Sequence, residues 1–302
     1  MNYWDNVLKK FGVSDYHKRG ILGEGVSLYV IDTGVNQTES DLQNIKIRSF
    51  ASGSRKVHGS NVTSIIKNVI SPRAQIYLAD VDNASGVIYT SALVSAIRDA
   101  INMNVDIITI SLGTNKYDQS LQDAVNEAYT RGILVFAAAG NCACPDYEFP
   151  AACQHAISVG SINADTRLPS SFNTRNDSNV LFAPGENVQV PKVQNGTTKF
   201  VSVSGTSFSA PFVAGLAALV LADKRREQPG IRLEREDMVN LLRDKDHLDL
   251  SCKVHNYNRE IACAGVAIVQ HTDPLYTNTM LLFALCILGV FFGIVLAFRV
   301  TA

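Results

Sequence analysis

Five short apolar runs stand out along the chain: 26–31 (VSLYVI), 75–81 (QIYLADV), 105–112 (VDIITISL), 133–139 (ILVFAAA) and 156–162 (AISVGSI). Runs this short and this continuously apolar suit strands of a parallel sheet buried on both faces. Between them the apolar period lengthens. Leu93, Ile97 and Ile101 recur every four residues in 91–103, with Ala96 and Ala100 beside them, and Leu121, Val125 and Ala128 mark one face of 118–131. Both segments predict amphipathic helices. Residues 207–222 predict a helix apolar on every side, hence buried, and 234–243 predict a charged one. Strands alternating with helices imply an α/β fold with a mainly parallel sheet and right-handed crossovers. Such sheets gather their sites beyond the carboxyl ends of the strands, so the residues just after each strand carry the interest.

One pattern belongs to no globular core. Residues 280–298 (MLLFALCILGVFFGIVLAF) carry no charge and are long enough to cross a bilayer as a single helix. The expected organisation is therefore a globular domain over 1–270, a polar spacer over 271–279, a transmembrane helix over 280–298 and a short tail over 299–302. Gly289 and Gly293 lie four apart on one helix face. Two readings stand for them: a close-packing face for a homodimer, or the ordinary frequency of glycine in membrane helices. The N-terminus has no apolar signal-peptide region, so a tail anchor with the globular domain on the cytosolic side is the expectation. Arg299 beyond the helix argues for the opposite orientation.

Composition narrows the function classes. The 302 residues are 46% hydrophobic and 18% charged, which excludes disorder, collagen and coiled coil. The 27 basic and 28 acidic residues are well mixed, giving a net charge of −1 and no basic face for nucleic acid. Six cysteines are too few for a disulfide scaffold at this length. Cys142 and Cys144 have a C-x-C spacing, but no matching Cys/His pair follows at zinc spacing, and no metal is expected. Cys252 and Cys263 are spaced to close a hairpin if the compartment is oxidising; the role of Cys153 is open.

Four residues form a chemical set. Asp32 ends the first strand, His58 opens a helical pattern, Asn141 follows the fourth strand and Ser207 opens the buried helix. A serine hydroxyl becomes a nucleophile when a histidine takes its proton. A buried carboxylate holds that imidazole in one tautomer, and an amide donor stabilises the oxyanion.

The motifs around them resemble those of the subtilisin-like serine proteases: Asp32-Thr33-Gly34, His58-Gly59-Ser60-Asn61-Val62, Ala138-Ala139-Gly140-Asn141, and Gly205-Thr206-Ser207 through Pro211 and Gly215. The Asp–His–Ser chain order is a known property of that family. The resemblance spans about residues 4–268, and Trp4–Gly25 resembles the start of a mature catalytic domain. It implies a three-layer subtilisin-like fold and a serine endopeptidase with Asp32, His58 and Ser207 as triad, Asn141 as oxyanion donor and no cofactor. Ser111-Leu112-Gly113 resembles the strand that pairs with an extended peptide, and Asn83–Gly86 the opposite wall. Glu148-Phe149-Pro150-Ala151 resembles the segment that lines the P1 pocket, which implies a place for Glu148 at the pocket floor. There it either favours Lys or Arg at P1, or turns to solvent or a local partner.

Departures from the family pattern are also present. Asn61 and Thr63-Ser64 replace a usual His and Ala-Gly, and Phe212 replaces a usual His. The alternative reading they leave is a membrane-anchored, weak or inactive relative that binds peptides. Only 13 residues separate His58 from Pro72, too few for the family's strong calcium loop.

Overall fold

The structure is a computed structural model that describes residues 3–39, 42–51, 53, 55–145, 148–174, 181–194, 197–244 and 250. The chain divides into Met1–Lys253 and Val254–Ala302. The predicted span 280–298, with Gly289 and Gly293, and the Cys252/Cys263 pair lie outside the described residues. So does part of the expected 1–270 domain.

Seven parallel strands form the sheet: β1 (Ser27–Asp32), β2 (Lys46–Ser49), β3 (Gln75–Asp80), β4 (Ile107–Ile110), β5 (Leu134–Ala138), β6 (Ile157–Asn163) and β7 (Leu181–Glu186), in the spatial order β2-β3-β1-β4-β5-β6-β7. The five predicted strands are β1, β3, β4, β5 and β6. Alternate residues serve opposite faces, as the pleat requires. Leu28, Val30, Leu134 and Phe136 pack on one side; Tyr29, Ile31, Val135 and Ala137 pack on the other.

Helices cover both faces. On the first lie α1 (Tyr3–Lys10), α2 (Val13–Lys18), α3 (Val57–Ser64), α6 (Thr206–Glu227) and α7 (Arg235–Arg243). On the second lie α4 (Thr90–Asn102) and α5 (Gln119–Thr130), the two helices with a four-residue period. The α/β three-layer expectation is thus met for the described residues. A hairpin of β8 (Val188–Gln194) and β9 (Thr197–Val203) stands apart from the main sheet.

Every residue of α6 from Thr206 to Ala222 is buried, as its uniform apolarity predicts. Among the described residues this is the one helix long and apolar enough to cross a membrane, and it is a core helix. Phe212 on α6 meets Phe11 edge-on at 5.6 Å, so the departure from histidine there serves packing against the N-terminal helices. The strand order reverses between β1 and β4. The crevice beyond their carboxyl ends is where the fold gathers side chains.

Candidate active site

Asp32 is the last residue of β1 and fully buried. Its Oδ1 accepts from the Thr33 backbone N–H at 2.7 Å and lies 2.8 Å from His58 Nδ1. His58 stands in the first turn of α3, which is pressed onto the Asp32–Gly34 turn. Gly59 N–H donates to Thr33 Oγ1 at 3.0 Å, and a Cβ on Gly59 would collide with the Thr33 carbonyl. Glycine at 59 is what lets the imidazole come this close to the carboxylate. The outer ring face of His58 lies against Phe208, 5.6 Å between centroids.

Ser207 is the second residue of α6, whose N-cap is Gly205 at φ +153°. A Cβ there would lie 3.0 Å from Ser207 Oγ and 3.5 Å from Asn141 Nδ2, so hydroxyl and amide converge over one glycine. The Asn141 orientation has a cause. Its Oδ1 accepts from Thr206 N–H at 2.8 Å and from Thr206 Oγ1 at 3.1 Å. Thr206 Oγ1 in turn accepts from Gly140 N–H at 3.1 Å. With the amide oxygen occupied, Nδ2 is the end presented to the cleft. Thr206 had no role in the sequence reading, although it sits inside the Gly-Thr-Ser motif.

Pro211 lies inside α6 and has no N–H for the carbonyl of Ser207, four residues back. Ser111 Oγ supplies the missing donor at 2.8 Å. The segment Ser111-Leu112-Gly113 is thereby tied to the serine helix. Just beyond, Thr114 and Phe149 exchange two backbone hydrogen bonds of 2.9 and 2.8 Å, joining it to the segment that carries Glu148.

Glu148 points inward. A Cβ on Gly113 or on Gly140 would strike its carboxylate. The carboxylate accepts hydrogen bonds from the Asn141 backbone N–H and the Thr174 hydroxyl, while burial, the larger effect, raises its pKa. Of the two readings for Glu148, the local partner is present: the carboxylate is half-buried, and the groups that donate to it are neutral. Thr174 comes from a loop remote in sequence, and nothing in the linear pattern marks it. Cys142 and Cys144 form a disulfide beside Asn141.

An acidic pair lies under the opposite wall. Asp80 ends β3, and Asp82 follows two residues on; both are buried. Arg55 Nε donates to Asp82 at 3.1 Å, and its Nη2 reaches the Gly86 carbonyl. A Cβ on Gly34 would lie 2.8 Å from Asp80 Oδ2, so the pair also supports the turn after Asp32. Burial and the neighbouring Asp82 push Asp80 up to about 7. An acid whose pKa is raised by folding stabilises the fold while protonated, and that contribution is lost as pH climbs through the raised value. Asparagine mimics the neutral acid. Between about pH 4 and 7 the native chain should therefore lose Tm relative to Asp80→Asn, with no further divergence above about pH 8; curves that stay parallel from about pH 4 to 7 in calorimetry would contradict this.

With this geometry, the comparisons with known proteins are unambiguous. Residues 23–248 match the subtilase family, and the chain belongs to it. It is 34% identical over 217 residues to M-protease of Shouchella clausii, an alignment covering 68% of this chain and 56% of that protein. It is 34% identical over 217 residues to subtilisin Savinase of Lederbergia lenta, covering 68% and 79%. Among solved structures, the prenylagaramide maturation protease PagA superposes with a TM-score of 0.67 at 26% identity, covering 76% of this chain and 87% of that one. A cold-adapted subtilisin-like serine proteinase gives 0.60 at 28% identity, covering 74% and 82%. The alignment thus spans little more than half of the first of these relatives.

Proposed function

We propose that this chain is a serine endopeptidase that cleaves extended peptides through an acyl-enzyme. The observation that carries the reading is the fixed Asn141 amide, whose Nδ2 lies, like Ser207 Oγ, within 3.5 Å of where a Cβ on Gly205 would sit. His58 takes the Ser207 proton on Nε2, because its Nδ1–H is held by Asp32. The hydroxyl attacks the scissile carbonyl. The oxyanion is met by Asn141 Nδ2 and by the Ser207 backbone N–H, one of the N–H groups a helix start leaves free. His58 then returns the proton to the leaving amine, and water repeats the sequence on the ester. The peptide lies as an added strand along Ser111-Leu112-Gly113. Incubation of the purified chain with a peptide library tests the reading: internal cleavage is expected, and an intact library refutes it.

Glu148 is assigned to selectivity for Lys or Arg at P1. A half-buried carboxylate with only neutral donors gains most from an entering cation. Glu148→Gln should lower the Arg/Leu ratio of kcat/KM by about 10-fold or more, on the scale of one charge-assisted hydrogen bond. An unchanged ratio would remove Glu148 from specificity.

The reading also includes a membrane anchor over 280–298, supported by its uncharged apolar sequence, with the catalytic domain on the cytosolic side. Carbonate extraction should leave the full chain in the membrane pellet and release a 1–272 truncation. A full chain found in the supernatant would contradict the anchor.

A further inference from the structure

Cys142 and Cys144 are joined by a disulfide across one intervening residue. The turn that holds them borders the proposed P1 pocket. Asn141 precedes it, and Asn141 donates its backbone N–H to the Glu148 carboxylate. The other donor to Glu148 is the Thr174 hydroxyl, and Thr174 Oγ1 lies 3.4 Å from Cys142 Sγ. One of the two groups that hold Glu148, Thr174, therefore packs against this small ring, and the other, Asn141, directly precedes it. Thr174 is fixed a second time by its N–H to the Gly140 carbonyl at 3.0 Å.

The ring also imposes a backbone conformation. Ala143, between the cysteines, has φ +52°, a left-handed value that a residue with a Cβ rarely adopts. Its N–H donates to the Phe172 carbonyl at 3.0 Å, and the Cys144 N–H faces Cys142 Sγ at 3.3 Å. With the sulfurs separated, the alanine is no longer held left-handed. The Cys142–Cys144 turn can then relax away from Thr174, while Asn141 stays anchored by Thr206.

The disulfide is open to attack. Residues 141–143 are exposed and Cys144 is half-buried. Exposed disulfides are the labile class, open to exchange with thiols in solution. Cys153 is different: it is buried, and burial pushes its thiol up to about 12, so it offers little thiolate for exchange.

We propose that Cys142–Cys144 is a thiol–disulfide exchange site for dithiol reductants that sets the selectivity of the Glu148 pocket. The inference rests on the peptidase reading for its effect on cleavage. In the exchange, a thiolate of the dithiol attacks one sulfur of the pair and breaks the S–S bond, forming a mixed disulfide. Its second thiolate displaces the protein sulfur. Two electrons and two protons pass to Cys142 and Cys144 as thiols, and the reductant leaves as its own disulfide. The reduced protein keeps its oxyanion donor, because Thr206 and not the ring fixes the Asn141 amide. What it loses is the fixed position of the Glu148 carboxylate.

The test uses the full chain, oxidised or treated with dithiothreitol, with alkylation and mass spectrometry reporting the state of Cys142 and Cys144. Hydrogen exchange of peptides covering 141–145 and 171–174 should rise on reduction. The Arg/Leu ratio of kcat/KM should fall by about 5–10-fold, the loss expected for one hydrogen bond to the carboxylate. The Cys142→Ser/Cys144→Ser variant should show the low ratio with or without reductant. Quantitative reduction with unchanged exchange or an unchanged ratio overturns the proposal. So does an equal response to reductant in the double variant, which would place the effect on other cysteines. An oxidised protein that cleaves no peptide, yet loosens at 141–145 on reduction, refutes the peptidase reading and supports the ring as the element that holds the pocket wall.

Discussion

Ser207→Ala should reduce kcat by about a millionfold, the scale seen when the nucleophile of a triad is lost, and leave the fold intact. The Ser207 side chain contributes only its hydroxyl, which lies on the same side of Gly205 as Asn141 Nδ2. Its backbone carries the structural load. The Ser207 carbonyl accepts from Ser111 Oγ, and the helix behind it is buried through Ala222. Alanine preserves all of that. Circular dichroism and Tm should match the native chain to within a degree or two while peptide cleavage disappears. Cleavage near the native rate in a properly folded variant would move the chemistry elsewhere.

Asn141→Ala should lower kcat by about 10²–10³, equivalent to about 2.7–4 kcal/mol, with KM nearly unchanged. The amide is already locked by Thr206 before substrate arrives, so no reorganisation is needed as the oxyanion forms. An interaction made mainly in the transition state appears in kcat, not in KM. A rise in KM at constant kcat would instead make Asn141 a substrate-binding residue. The same geometry assigns Thr206 as the positioning residue: it consumes the amide oxygen and so decides which end of Asn141 faces the cleft.

How much of this was legible in the sequence follows from where each residue sits. Asp32, His58, Asn141 and Ser207 each end or follow a strand or open a helix, so apolar runs and short motifs mark them directly. Ser111 was legible by motif, but its bond to the Ser207 carbonyl depends on Pro211 one helical turn further on. β2 was not legible: its residues, KIRS, are charged at a sheet edge, where only one side of the strand is paired. The α1 and α2 helices were hidden for a different reason. Their apolar residues, among them Trp4, Val7 and Val13, and Phe11 in the turn between them, are few and packed against distant segments. Trp4 donates to the Gln189 carbonyl across 185 residues, and Phe11 explains Phe212.

The surroundings of Glu148 show the same limit. Thr174, Cys142 and Gly113 come from three separate segments, and no spacing in the chain announces that they meet. The C-x-C spacing by itself points toward a metal pair, and the missing second Cys/His pair argues against one. In the fold the pair is a disulfide whose Cys142 Sγ lies 3.4 Å from Thr174 Oγ1, 32 residues away.

The central claim is that Ser207 is a nucleophile activated by His58. The most direct measurement is labelling of the purified chain with a fluorophosphonate, followed by mass spectrometry of its peptides, beside His58→Ala. The account predicts a single phosphonylated residue, Ser207, in the native chain and labelling slowed by several orders of magnitude in the variant. A native chain left unlabelled at Ser207, or labelled there equally fast without His58, would contradict it.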